Sequence, residues 1–381
     1  MSKRSAGAGT SKEKGSPRSK VYFGSAFVQQ PGGNATLPAK FARILAKLDL
    51  KHLSQGAWVP IKMHLGGGEG YSTIHPLFVR ILVKAIKDAG GKPFLIDGYF
   101  DSVAAAAERG YTSETVGCPL VAAGGPYATH LIRKEVNYQT LDELRIFGAI
   151  WDAPCLVNFS HVKGHGDCGY GGACKNIAMG CVDGETRGKL HGLEGGIDWM
   201  GELCSLCGRC VQACDTQAIH LDKKSKKVSI FFHHCRYCRH CISACPKKAL
   251  VMSDRNRYKH FQEGMALATK AILDSFDPTR VLHINLLTNI TMFCDCWCMT
   301  TPSLVPDIGV MASHDLVAID AASLDAIHAK DLIPSGLIGG RKLGKGKHLL
   351  ERIHGKDPYI QIQALERRGV GNSAYELIEV K

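Results

Sequence analysis

Apolar runs bounded by glycine alternate along this chain with stretches whose apolar positions keep a helical period. Residues 58–64 read as a strand, followed by a loop holding Gly66, Gly67, Gly68 and Gly70. Phe78, Ile81, Leu82, Ala85, Ile86 and Ala89 then share one helix face, with Ser72 or Thr73 as cap and Pro76 in the first turn. Gly90 and Gly91 end that helix, and 93–97 read as the next strand. Strand, loop, helix and strand make a βαβ unit, which implies a parallel sheet. The alternation continues with helices expected at 102–109, 140–149, 258–275 and 316–330, and strands at 120–123, 155–159 and 281–287. Residues 336–354 read as loops with one short helix. The expected fold class is α/β, with a mixed or parallel sheet.

Between the expected strands at 155–159 and 281–287 the pattern gives way to cysteines. Cys204, Cys207, Cys210 and Cys214 recur 31 positions later as Cys235, Cys238, Cys241 and Cys245, and Ala218-Ile219 recurs as Ala249-Leu250. Both halves have the spacing C-x2-C-x2-C-x3-C that bacterial ferredoxins use for 4Fe-4S clusters. The fourth cysteine of such a run serves the other cluster. Cys204, Cys207, Cys210 and Cys245 are therefore expected to hold one cluster, and Cys235, Cys238, Cys241 and Cys214 the second. Pro246 follows the last cysteine, whereas the first run has Asp215 in that place. Zinc is the plainer reading of paired C-x2-C hooks, but its hooks are separated by a longer loop. The expected organisation is a basic tail at 1–20, an α/β domain split into 21–199 and 253–381, and an inserted α+β, ferredoxin-like module at 200–252.

Sixteen cysteines without a secretory signal suggest metal-bound thiolates in a reducing cytoplasm rather than disulfides. An apolar content of 45% with no run long enough to span a bilayer fits a globular chain without a membrane segment. The formal net charge of +12 is a weaker nucleic-acid signal than it looks. Residues 1–20 carry six Lys/Arg against one Glu, and each oxidised four-thiolate cluster adds about −2. A basic face docking an acidic redox partner is the expected use, with the chain as an oligomer or complex subunit.

Two further stretches carry chemistry. His161, Lys163, His165, Asp167, Cys168, Cys174, Lys175 and Asn176 follow the strand at 155–159, where α/β sheets place ligands. Cys294, Cys296 and Cys298, if extended, put three thiols on one face. With Cys168, Cys174 and Cys181 they suggest a third centre, iron–sulfur or zinc. Cys118 and Cys155, each beside an apolar run, read as small buried hydrophobes. The triple-glycine loop fits a tight turn better than an anion site, since the dinucleotide fingerprint is not met.

Lys62-Met-His64-Leu-Gly66, Ser160-His161 with Lys163-Gly164-His165, Gly169-Tyr-Gly171-Gly172-Ala-Cys174-Lys175-Asn176 with Met179-Gly180-Cys181, and Cys294-Asp295-Cys296 together resemble the family called domain of unknown function 362. So do 86–95, Asn285 with Thr288-Asn289-Ile290-Thr291, Pro306-Asp307-Ile308-Gly309 and Ala318-Ile319-Asp320. The resemblance runs over about 21–381 and implies an α/β domain carrying a two-cluster ferredoxin module, with a redox role. Cys168, Cys174 and Cys298 look like additions to the family pattern. Three functions are in play. The first is an electron-transfer protein passing single electrons to or from a partner enzyme. The second is a self-contained oxidoreductase holding a small anionic substrate among Lys62, His64, Lys163, His165, Lys175, Asp295 and Asp307, with His165 as proton donor and the lysines as anion clamps. The third is a nucleic-acid or assembly protein with structural clusters, whose binding would be salt-dependent.

Overall fold

A computed structural model describes residues 18–381. Most of the expected basic tail therefore lies outside the described residues, and Ser19 and Lys20 already belong to a strand. The fold is mixed α/β, centred on eight strands: β1 (Ser19–Ser25), β2 (Trp58–Lys62), β3 (Lys92–Asp97), β4 (Leu120–Ala122), β5 (Leu156–His161), β6 (Val281–Leu287), β7 (Gly309–Ser313) and β8 (Tyr375–Glu379). Their order across the sheet is β8-β1-β7-β6-β5-β2-β3-β4. Strand β7 is antiparallel to both neighbours, and the other pairings are parallel.

Alternation along the central strands builds a core on each face. Val157 and Phe159 join Val59, Ile61, Leu282 and Ile284 on one side, beneath the helices Leu37–Ala46 and Pro76–Asp88. Leu156 and Leu287 join the opposite core, beneath the helices Ala173–Gly180, Tyr258–Leu273 and Leu316–Asp325. Full burial of a side chain such as Phe159 is worth about 1.5–3 kcal/mol. The second face also buries a polar set. Asp320 accepts from the Tyr170 hydroxyl (2.9 Å), Asn285 Nδ2 (2.8 Å) and the amides of Ala173 (2.8 Å) and Cys174 (2.9 Å). It thereby anchors the start of the helix Ala173–Gly180.

The helix expected at 140–149 is instead mostly strand. Leu141–Phe147 pairs antiparallel with Leu131–Tyr138, and only Gly148–Trp151 is helical. Leu141, Leu144, Ile146 and Phe147 are buried, and Asn137 and Gln139 take positive φ at the turn. The helix Pro76–Asp88 is capped by the His75 side chain, not by Ser72 or Thr73. Strands β1, β7 and β8 and the helix Tyr359–Arg367 lie where no element was expected.

Residues 197–252 carry small sheets of their own. Ile197–Trp199 pairs with Leu250–Met252, and Ile219–Asp222 with Lys227–Ile230. Ile197, Ala218, Ile219, Val228, Tyr237 and Leu250 form a separate core with Cys235 and Cys241. The internal repeat is visible in the backbone. Leu206, Gly208 and Gln217 have positive φ, and so do Tyr237, Arg239 and Lys248, each 31 positions on. A left-handed residue inside each C-x2-C hook turns the chain sharply between the cysteines.

Candidate functional site

Strands β2, β3 and β4 follow one another to one side of the sheet, whereas β5 and β6 lie on the other side of β2. The switch point is therefore the crevice between β2 and β5, where open α/β sheets bind ligands beyond their strand ends. A cavity of about 810 Å³ opens there. Lys62, Asp97 and His161, the last residues of β2, β3 and β5, line it. The helix Ala173–Gly180 adds Lys175 and Asn176, the turn at 294–297 adds Cys294, Asp295, Cys296 and Trp297, and Ile230, Phe231, Phe232 and His233 reach it from the cysteine-rich segment.

Each wall carboxylate has its own counter-charges. Asp97 Oδ1 lies 3.0 Å from Lys62 Nζ, and Oδ2 lies 3.2 Å from His64 Nδ1 and accepts the Leu65 amide at 3.1 Å. Burial works to raise the Asp97 carboxyl, but Lys62 and then His64 outweigh it and hold it far below the usual carboxylate range. Lys62 also donates to Asn176 Oδ1 at 2.8 Å. Asp295 pairs with His161 Nδ1 at 2.8 Å and lies 3.5 Å from Lys163 Nζ. There too burial pushes the carboxyl up, and the His161 ring, hydrogen-bonded to it, and then Lys163 pull it lower. Asp167, fully buried, lies 2.6 Å from His233 Nδ1 and 3.3 Å from His191 Nδ1. Glu194, beside it, is driven well above the ordinary carboxylic range by burial. A neutral acid next to an anionic carboxylate is the arrangement that separates acid from base roles.

His165 is held neutral: burial, then Lys175 and His233, push it well below the usual imidazole range. Its Nδ1 accepts the Asp167 amide at 3.1 Å, so its ring proton is on Nε2, which faces Cys296 Sγ at 3.8 Å. That geometry makes His165 a hydrogen-bond donor to the Cys296 sulfur. Lys175 Nζ lies 3.6 Å from Cys294 Sγ and 3.7 Å from Cys296 Sγ. Two lining nitrogens lack a protein partner: Arg187 Nη2, a donor, and His64 Nε2, the acceptor side of a ring whose Nδ1–H faces Asp97.

Of the seven expected site residues, Lys62, His64, His165, Lys175 and Asp295 converge on the cavity. Lys163 stands behind the wall, donating to Asn289 O (2.5 Å) and Ser72 Oγ (3.1 Å). Asp307 does not reach the cavity. It is exposed and accepts the Asn289 amide at 2.7 Å, and so supports the loop that holds Lys163. Residues the sequence reading left out are Asp97, Arg187, His191, Glu194, His233 and Trp297. Asp97 had one available signal, its place at the carboxyl end of an apolar strand.

The six additional cysteines do not assemble. The run 294–298 is not extended: a 3-10 turn at Asp295–Trp297 and a left-handed Cys298 turn that thiol away onto Gly67 and Gly68. Cys168, Cys174 and Cys181 are buried in the main core, where burial raises all three thiols, Cys174 and Cys181 to about 12. Cys294 and Cys296 alone of the six face the cavity, joined to each other by a disulfide. Ligand-type groups close enough to share an ion are His165 with Cys294 and Cys296, and Asp167 with His165 and His233. Cys118 and Cys155 are buried among apolar side chains, as expected.

The eight duplicated cysteines sort across the repeat. Cys210 is influenced electrostatically by Cys245 and Cys204, and Cys204, Cys207, Cys210 and Cys245 line one small pocket. Cys241 feels Cys235, Cys214 and Cys238. The Cys214 and Cys245 sulfurs each accept the amide four residues on, from Ala218 and Ala249, both at 3.2 Å. Cys207 and Cys238 are exposed.

The cysteine-rich segment meets the body tightly at Gly166, where an added Cβ would stand 2.2 Å from the His233 carbonyl oxygen. Gly166→Ala is expected to cost roughly 1–3 kcal/mol. Gly188, helical with open space around it, serves as control: Gly188→Ala should stabilise by about 0.5–1 kcal/mol. Urea midpoints at unchanged slope would measure both, and a neutral Gly166→Ala would mean that the contact yields.

Among the described residues no helix is long and apolar enough to cross a membrane. No curated protein matches the chain. Among solved structures, a Thermotoga maritima protein superposes with a TM-score of 0.38 at 9% identity, covering 68% of this chain and 52% of its own. The lactate racemase apoprotein of Thermoanaerobacterium thermosaccharolyticum gives 0.30 at 12%, covering 71% and 51%. This chain thus spans about half the length of each. The family model described as "Domain of unknown function (DUF362)" matches residues 59–325, a narrower span than the 21–381 expected, but one that takes in the whole cavity lining and all eight duplicated cysteines. On that match, the chain belongs to the DUF362 family.

Proposed function

We propose that this chain is an iron–sulfur oxidoreductase. Residues 200–252 act as an inserted ferredoxin-like module whose electrons serve a small anionic substrate bound at the β2/β5 switch point. Cys204, Cys207, Cys210 and Cys245 would hold one 4Fe-4S cluster, and Cys235, Cys238, Cys241 and Cys214 the other. Bound there, the clusters supply one-electron storage. The donor set fits them: eight thiols in two groups of four, each group drawn from both halves of the repeat.

The observation that carries the enzyme reading over that of a simple carrier is the shared wall. The segment Ile230 to His233, which ends two positions before Cys235, lines the same cavity as Lys62, His64 and Lys175. A carrier needs no such enclosure. The volume suits a small molecule. Its unpartnered donor, Arg187 Nη2, with Lys62 and Lys175 on the same wall, favours a carboxylate or phosphate. Exposed Cys207 and Cys238 mark the side on which an electron-donating partner protein would dock.

The test is reoxidation. Anaerobically reduced protein, with excess reductant removed, is mixed with a panel of small carboxylates and phosphate esters while its visible absorption is followed. The reading expects return of the oxidised spectrum with at least one of them. It also expects Arg187→Met to raise the concentration required by about ten- to a hundredfold, the worth of one charged hydrogen bond. Reoxidation by protein acceptors alone would return the chain to the class of carriers.

A further inference from the structure

We propose that Cys294 and Cys296 form a redox-active disulfide–dithiol couple in the cavity wall, the site at which single electrons from the cysteine module are paired. The inference rests on the iron–sulfur reading above and specifies how that module would address the cavity.

Three observations carry it. First, the pair lines the cavity beside the switch point, whereas the other cysteines of the α/β body are packed in cores or, as with Cys298, turned onto a loop. Second, its surroundings suit sulfur that becomes negatively charged. Lys175 Nζ lies within 3.7 Å of both sulfurs, and its hydrogen bonds go to them. The His165 Nε2–H points at Cys296 Sγ at 3.8 Å, because Nδ1 is occupied by the Asp167 amide. The same tautomer argues against an ion at this point, since a metal would need the lone pair that Nε2 does not offer. Third, an aromatic contact joins the pair to the module. Trp297, next to Cys296, stacks on His234 at 4.8 Å and 11° and touches His233 at 4.5 Å. His234 is the residue before Cys235. The path from a cysteine of the second group to the disulfide is thus one peptide unit, one ring stack and one peptide unit.

The chemistry balances with a reduced iron–sulfur centre as the reductant. Two one-electron transfers break the S–S bond. One sulfur, Cys294, takes a proton from the Lys175 ammonium and becomes a thiol. The other, Cys296, stays a thiolate, held by the His165 N–H. Solvent returns the proton to Lys175. The resulting dithiol, a two-electron donor, then faces whatever occupies the cavity.

The test is thiol counting by alkylation and mass spectrometry on the whole, cluster-loaded chain, before and after stoichiometric anaerobic reduction. The proposal expects Cys294 and Cys296 to be unmodified before reduction and to gain two alkyl groups after it. It also expects the Cys294→Ser, Cys296→Ser double variant to consume two fewer electrons in a dithionite titration while keeping its iron. Trp297→Leu should slow the appearance of the two thiols without changing their final number. Lys175→Met should lower their alkylation rate at neutral pH about tenfold, the effect of one pKa unit in thiolate population. Two thiols already free in the oxidised protein, or a zinc or iron ion lost specifically in the double variant, would overturn the couple while leaving the iron–sulfur reading intact. Absence of iron from the wild type, with a pair that still cycles under dithiothreitol, would overturn that reading and spare the couple.

Discussion

Cys204→Ser combined with Cys245→Ser is expected to leave about four irons per chain and one cluster's reduced-state EPR signal at full strength. Cys204→Ser combined with Cys214→Ser is expected to leave neither cluster's signal unaltered. The two variants remove the same number of thiols, so composition cannot separate them; only the pairing across the repeat does. The first takes two ligands from one group of four, Cys204, Cys207, Cys210 and Cys245, which share a pocket. The second takes one ligand from each group, because Cys214 belongs with Cys235, Cys238 and Cys241. Were each run of four to serve its own cluster, the outcomes would be exchanged.

Lys62→Met is expected to cost about 3–5 kcal/mol, because it strands the Asp97 carboxylate in the interior without its principal cation. The remaining partners, His64 and the Leu65 amide, do not replace a buried ammonium at 3.0 Å. The pH dependence has a definite sign. Asp97 is depressed in the folded protein, so its contribution is present above the unfolded value near pH 4 and is lost as pH falls through the folded one. Removing Lys62 takes away the main cause of that depression. The deficit of the variant should therefore be largest at neutral pH and narrow below about pH 4. Urea unfolding across that range measures it. An unchanged stability at pH 7 would mean that Lys62 is held for substrate and not for the fold.

The parallel half of the sheet was legible because its strands are buried on both faces and read as continuous apolar runs, as in Val281–Leu287. Two of the strands that escaped mix polar and buried positions. Tyr375–Glu379 is an edge strand with two exposed glutamates, and Leu141–Phe147 interleaves Asp142, Glu143 and Arg145 with its buried positions. In the second case apolar spacing resembled a helix, and the cross-strand partner that decides the matter lies in 131–138. Half of the site was legible for a similar reason. Lys62 ends β2 and His64 follows it, and His165 and Lys175 lie in the glycine-rich stretch after β5, where polar residues are conspicuous. Arg187, His191 and Glu194 come from one short helix and its exit and His233 from the cysteine-rich segment, none of them in a recognisable motif, and only the folded chain brings them to one wall. The cysteine run at 294–298 was misjudged because alternation holds only for an extended chain, and this one turns. Asp307 was drawn in by its motif, but it acts one step away, on the loop of Asn289.

The central claim is that the duplicated cysteines hold two electron-storing clusters against a substrate cavity. Anaerobic quantification of iron and acid-labile sulfide, with EPR of the dithionite-reduced protein, tests it most directly. The account predicts about eight irons and eight sulfides per chain and signals from two reducible cubes. Zinc in their place, with a colourless protein indifferent to dithionite, would contradict it.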